Sequence, residues 1–142
     1  MKKTLKGQVI LDTAKIFTKT KLSKLEDGEL FQVIKTMRTV KDAAKPIQDV
    51  IDTASKALEP ENYKELLQKA DNFTMLSEAE QIEVNAKMQA FLNRRARATS
   101  EELMKDVKLD ITPISENTMD RIIKSNDFTV AEILTLQDVL CK

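Results

Sequence analysis

The sequence predicts a mainly α protein: a long kinked helical hairpin, a minor two-stranded β element and two short C-terminal helices. Three observations carry that prediction. An apolar seam spaced 3, 4, 3, 4 runs from Leu30 to Leu58, the heptad rhythm of a long helix with one buried edge. Only two glycines and three prolines punctuate 142 residues, too few for a fold of many short strands and turns. Helix-start signals of the form Ser/Thr-x-x-Glu stand at Ser77–Glu80, Thr99–Glu102 and Thr129–Glu132, where the hydroxyl and the carboxylate satisfy the first free amides of a helix.

One domain is expected over 1–142, made of an N-terminal segment (1–25), the helical hairpin (26–104) and a C-terminal part (105–142). In the first segment, "KGQVILD" reads as a short β-branched strand and "LDTAKIFTK" equally as a turn or two of helix. The seam residues Leu30, Val33, Met37, Val40, Ala44, Ile47, Ile51, Ala54 and Leu58 place a helix over 27–58. At about 1.5 Å per residue it is about 45 Å long. Pro46 lies inside it; it lacks an amide donor and disfavours helical geometry at Lys45, which predicts a kink. The seam keeps its phase across Pro46, so one kinked helix is expected rather than two. Leu58-Glu59-Pro60 ends it, and a shorter amphipathic helix follows over Glu61 to Ala70 with Tyr63, Leu66 and Leu67.

Ser77 and Glu80 open the returning helix, expected over 78–98, with Val84, Met88, Phe91 and Leu92 on its apolar face. The connection of the hairpin is then 59–76. Val107, Leu109 and Ile111 alternate with Lys108 and Asp110, which is strand spacing, and Pro113 ends the run. If "GQVIL" is also a strand, the two pair into a ribbon. Helices over Ser115 to Lys124 and Val130 to Leu140 complete the chain, the second capped by Thr129 and Glu132.

Composition removes several kinds of chemistry. Lys+Arg and Asp+Glu both number 23, and a neutral chain lacks the broad cationic face that duplex DNA requires. There is no histidine, hence neither the usual general base nor the commonest transition-metal ligand. The one cysteine, Cys141, cannot form an internal disulfide or, without histidine, a zinc site. A reducing, cytoplasmic setting is the simple reading. "MKKTLKGQVILD" starts basic but holds too short an apolar run for a signal peptide, and no stretch reaches the length of a membrane span. No glycine-rich loop, Ser/His/Asp set or Cys/His pair is present. No metal, no cofactor and no enzymatic activity are expected.

The remaining candidate site is "NRRARATSEE", which holds Arg94, Arg95 and Arg97 beside Thr99 and Ser100. On a helical wheel Arg95 falls near the centre of the arc of Val84, Met88 and Phe91. Four accounts fit an arginine there: its stem snorkels past the core edge, it pairs with a carboxylate of a packed neighbour, or its planar fork meets an oligomer interface or an anion. If the helix continues, Arg97 faces Glu101 as an ordinary surface pair. If the helix stops at Ala98 and restarts at Thr99, the new amides lie beside the three arginines and make an anion site.

Three stretches, "LEDGELFQVIKTMRTVKDAAKPIQD", "KALEPENYKELLQKAD" with "NAKMQAFLNRRA", and "EELMKDVKLDITPISENTMDRIIKSNDFTVAEILTLQDVL", together resemble a family of small, mainly helical proteins of tailed bacteriophages and prophages. The resemblance implies a phage or prophage origin, expression in the bacterial cytoplasm and a place among virion or accessory proteins; it brings no catalytic residues. The leading expectation is a non-enzymatic protein acting by self-association, as a homo-oligomer, and by contact with other phage proteins, with Leu30, Val33, Met37, Val40, Ile47, Ile51 and Leu58 as the interface. The alternative is an oligomeric binder that sequesters a small anionic nucleotide signal of anti-phage defence on the arginine cluster.

Overall fold

The computed structural model describes residues 1–141. In chain order the elements are β1 (Lys2–Lys6), α1 (Gly7–Thr18), α2 (Asp27–Ala57), α3 (Tyr63–Asp71), a 3-10 turn at Phe73–Met75, α4 (Glu78–Met104), β2 (Asp106–Asp110), α5 (Glu116–Lys124) and α6 (Val130–Leu140). The protein is mainly helical. The helix–connection–helix arrangement read from the sequence is present as α2, the connection over 58–77, and α4. The chain divides into two compact units, Met1–Gln48 with Glu102–Lys142, and Asp49–Glu101. The divisions fall inside α2 and α4, so each long helix belongs to both.

The first unit holds most of the buried apolar side chains: Ile10, Leu11, Ile16 and Phe17 of α1, Val33, Met37, Val40, Ala44 and Ile47 of α2, and Leu136, Val139 and Leu140 of α6. Helix α2 runs unbroken through Pro46, although Pro46 cannot donate to the carbonyl of Asp42. The five buried seam residues of α2 hold the 3–4 spacing from Val33 to Ile47, the last of them just past the proline, so burial of one stripe keeps the helix whole.

The N-terminal segment differs from expectation. "GQVIL" is not the strand: it is the first turn and a half of α1, and the strand is "KKTLK" before it. Ile10, Leu11, Ile16 and Phe17 are buried at helical spacing, which a strand over the same residues would split between two faces. β1 and β2 pair antiparallel, with Lys3 opposite Leu109 and Leu5 opposite Val107. The ladder continues at both ends, where Gly7 N–H donates to the Lys105 carbonyl at 3.0 Å and Ile111 N–H to the Met1 carbonyl at 2.9 Å. Bonded and non-bonded pairs alternate in such a ladder. The amides and carbonyls of Lys3, Leu5, Val107 and Leu109 therefore face the partner strand, and those of Lys2, Thr4, Lys6, Asp106, Lys108 and Asp110 face outward.

The strand-to-helix junction depends on Gly7. A methyl group at that position falls inside the van der Waals shell of the Glu102 carbonyl oxygen and 3.4 Å from Leu103 Cα. Backbone meets backbone there, and only glycine permits the approach.

Glu29, in the first turn of α2, accepts a hydrogen bond from Thr118 Oγ1 at 2.5 Å and pairs with the Arg121 guanidinium, both on α5. Helices α5 and α6 start as the sequence predicts. Ser115 Oγ accepts from Thr118 N–H at 3.2 Å, and Thr129 and Glu132 form the complete reciprocal box. Lys3 of β1 donates to the Asp138 carbonyl at 2.6 Å and to the Cys141 carbonyl, placing a cation on the free carbonyls at the end of α6.

The second unit contains the end of α2, then α3 and most of α4. Its buried apolar side chains are Leu66, Val84 and Phe91, and Tyr63 packs on Phe91 with ring centroids 5.2 Å apart. Asn62, just before α3, has φ 57° and ψ 38°, a left-handed conformation that asparagine tolerates better than most residues. Ser77 starts α4: its hydroxyl accepts from Glu80 N–H at 3.3 Å and donates to the Glu80 carboxylate at 3.0 Å. No helix among the described residues is long and apolar enough to cross a membrane.

Candidate functional site

The arginine segment lies in the interior of a helix. α4 does not stop at Ala98; it continues to Met104. The Thr99 hydroxyl donates back to the Arg95 carbonyl at 2.8 Å, and Ser100 Oγ to the Arg97 carbonyl at 3.0 Å. Both hydroxyls are held against the preceding turn, in the back-bonded arrangement such residues adopt inside helices. The amides expected to flank a restarted helix are thus inside a continuous one, and the anion site built on them does not form. Thr99–Glu102 has the sequence of a helix start, but Arg95 and Ala96 present the carbonyls of an existing turn to it.

The three arginines part company. Arg95 is half-buried and its guanidinium lies over the Phe91 ring, 5.4 Å from the centroid. That contact accounts for an arginine on the apolar arc: the cation lies over the aromatic face one turn back. Arg94 and Arg97 are exposed. Among the described residues neither forms a salt bridge, and the expected Arg97–Glu101 pair is not made. Arg94 borders a cleft of about 400 Å³ walled by Leu58, Pro60 and Phe91, with Lys87 and Glu59 also on its lining. Lys87 is engaged with Glu83 at 2.8 Å, and that amine holds the Glu83 carboxyl below the ordinary carboxylate range.

The seam residues are placed within the chain rather than on its surface. Val33, Met37, Val40 and Ile47 are buried, while Leu30, Ile51 and Leu58 are half-buried. Four of the seven side chains taken as an intermolecular interface are already covered by this chain's own residues. Apolar groups left open include Phe31 and Ile34 on α2, Met75 in the connection, Ile82 and Met104 on α4, and Val130 and Leu134 on α6. Phe31 and Ile34 each lie one step off the seam, where a polar residue is the ordinary expectation.

Other chemistry is modest. Among the described residues no three carboxylates or thiols converge to hold a metal. Cys141 is half-buried beside a cleft lined by Met119, Asp120 and Gln137, and burial pushes its thiol pKa up, away from the thiolate that reactivity needs. The contact of Glu29 with Thr118 and Arg121 joins residues some ninety positions apart and left no local mark in the sequence. Compared with protein-family models, with curated proteins and with solved structures, the chain finds no match in any of the three.

Proposed function

We propose that this chain is a non-enzymatic protein of a tailed phage or prophage, acting in the host cytoplasm or in the virion by self-association and by contact with other phage proteins. One observation carries the reading. Phe31 and Ile34, three apart on α2, are 77% and 43% exposed, and Val130 and Leu134, four apart on α6, are 75% and 57% exposed. Residues at these spacings share a helix face, so each pair is an apolar stripe open to water. Open apolar stripes are what a protein partner covers. The test is a pull-down from phage-infected cells combined with sedimentation velocity at rising concentration. Recovery of a phage protein, lost with Phe31→Asp or Val130→Asp, supports the proposal. A strict monomer that recovers no phage protein overturns it.

A second reading, sequestration of a small anionic nucleotide by an oligomer, is favoured by Arg94. It is exposed and unpaired among the described residues, beside an aromatic wall and a second cation, the chemistry that suits a phosphate carried on a planar base. Native mass spectrometry of protein purified from cells separates the two. An oligomer with an added mass of nucleotide size supports this reading, and a ligand-free species overturns it.

A further inference from the structure

We propose that copies of this chain join head to tail through the two open edges of the β1–β2 ribbon. The inference rests on the self-association just proposed and names its surface. The ribbon has only two strands, so both edges are free of a sheet neighbour. The outward backbone groups belong to Lys2, Thr4 and Lys6 on one edge and to Asp106, Lys108 and Asp110 on the other. All six residues are exposed; the Lys6 carbonyl serves the first turn of α1, of which Lys6 is the N-cap, and among the described residues the other outward amides and carbonyls have no backbone partner beyond the ribbon. Each edge therefore presents a ready template for one more strand.

Charge decides which strand. Edges are commonly protected by charged side chains, and here two of the three pairings between copies are protected in that way. Antiparallel β1 on β1 sets Lys2 against Lys6 of the second copy. β2 on β2 sets Asp106 against Asp110 and Lys108 against itself. Like charges directly opposite are destabilising. β1 on β2 of a second copy repeats the register already present within the chain, Lys2 with Asp110, Thr4 with Lys108 and Lys6 with Asp106. The parity also fits: the outward residues of one edge meet the outward residues of the other, and the exposed faces of the two ribbons stay continuous. The within-chain pair Lys6–Asp106, at 2.6 Å, shows that these side chains reach across a ladder of this register. Such an interface is heterologous, so it propagates instead of closing on a two-fold axis.

The test uses two full-length variants. Thr4→Pro blocks the β1 edge and Lys108→Pro the β2 edge, each at an outward amide where an edge strand accepts proline. Sedimentation velocity at low salt should show an open series of species for the wild type, shortened as salt rises. Each variant alone should associate about tenfold more weakly or less, as expected for loss of a backbone hydrogen bond and its geometry. A one-to-one mixture should form a discrete dimer, since each variant retains the edge the other lacks; that result also shows both to be folded. Wild-type association that survives in both variants overturns the edge proposal and leaves self-association standing. A mixture that stays monomeric, with both variants retaining wild-type circular dichroism, overturns it too. A wild type that is monomeric throughout overturns self-association and the edge together, leaving contact with other proteins to the pull-down.

Discussion

The carboxylate of Glu29 and the hydroxyl of Thr118 meet at 2.5 Å, across 89 positions of sequence, and tie the first turn of α2 to the first turn of α5. Thr118 is buried and Arg121, on the same helix, completes the arrangement. The Thr118 hydroxyl is the main reason the Glu29 carboxyl lies below the ordinary carboxylate range; the Glu26 amide and Arg121 act in the same direction. Glu132 is lowered likewise, first by the Lys19 amine at 2.5 Å and then by the Thr129 amide. A carboxyl depressed in the folded state contributes stability above its unfolded pKa, about 4.3 for glutamate, and loses it as pH falls through the lower folded value. Thermal melts should therefore be level near neutrality and decline below about pH 4.3. Glu29→Gln should lower the neutral melting temperature and flatten part of the acid decline. An acid profile unchanged by Glu29→Gln would remove Glu29 from the account.

Gly7 and Gly28 make a matched pair. Gly7 abuts the Glu102 backbone, whereas a methyl on Gly28, in the first turn of α2, meets nothing within 4 Å. Gly7→Ala forces a backbone shift and should cost about 1–3 kcal/mol or more. Gly28→Ala should stabilise by about 0.5–1 kcal/mol, because alanine loses less backbone entropy in a helix. Urea unfolding of the two variants checks both signs. Equal effects would contradict the junction geometry.

What was legible in the sequence follows the range of the interactions. The stripe from Val33 to Ile47 was readable because 3–4 spacing over that length has one solution, and Pro46 did not override it. β1 was not readable. "KKTLK" has little intrinsic strand preference, and its inward Lys3 is satisfied by carbonyls of Asp138 and Cys141, partners with no local signal. "GQVIL" looked like a strand for the opposite reason: its β-branched residues suit one locally, while the helical burial of Ile10 and Leu11 is decided by packing. The candidate site was legible as a cluster of charges but not as an arrangement. Which arginine lies over Phe91 and which faces water depends on the continuation of α4 past Ala98, and the Thr99–Glu102 pattern argued against it.

Arg95 and Arg94 adjoin in sequence and differ in surroundings, so their substitutions should differ. Arg95→Ala removes the cation over Phe91 and the stem that covers part of the helix face, and should cost about 0.5–1 kcal/mol. Arg95→Lys should recover only part of this, since an ammonium does not stack as a planar guanidinium does. Arg94→Ala, at an exposed position, should stay within about 0.5 kcal/mol. Chemical denaturation of the three variants distinguishes them, and an Arg94 effect as large as that of Arg95 would show the contact with Phe91 to be immaterial.

Thr99 and Thr129 carry the same local pattern, threonine with glutamate three residues on, and the structure gives them opposite roles. Thr129 has extended backbone, φ −70° and ψ 162°, and its hydroxyl accepts from Glu132 N–H while the Glu132 carboxylate accepts from Thr129 N–H. Thr99 lies inside α4 and its hydroxyl returns to the Arg95 carbonyl, which a helix amide can satisfy without it. Thr129→Ala should therefore cost about 1 kcal/mol through the lost cap, with Thr129→Ser close to the wild type. Thr99→Val keeps the buried volume and removes only a back-bonded hydroxyl, so its effect should lie within about 0.5 kcal/mol. Thermal unfolding of the two variants decides between one rule and two. If Thr99→Val destabilises as much as Thr129→Ala, the hydroxyl of Thr99 acts at a helix start after all, and the continuous α4 on which the placement of Arg94, Arg95 and Arg97 depends would be wrong.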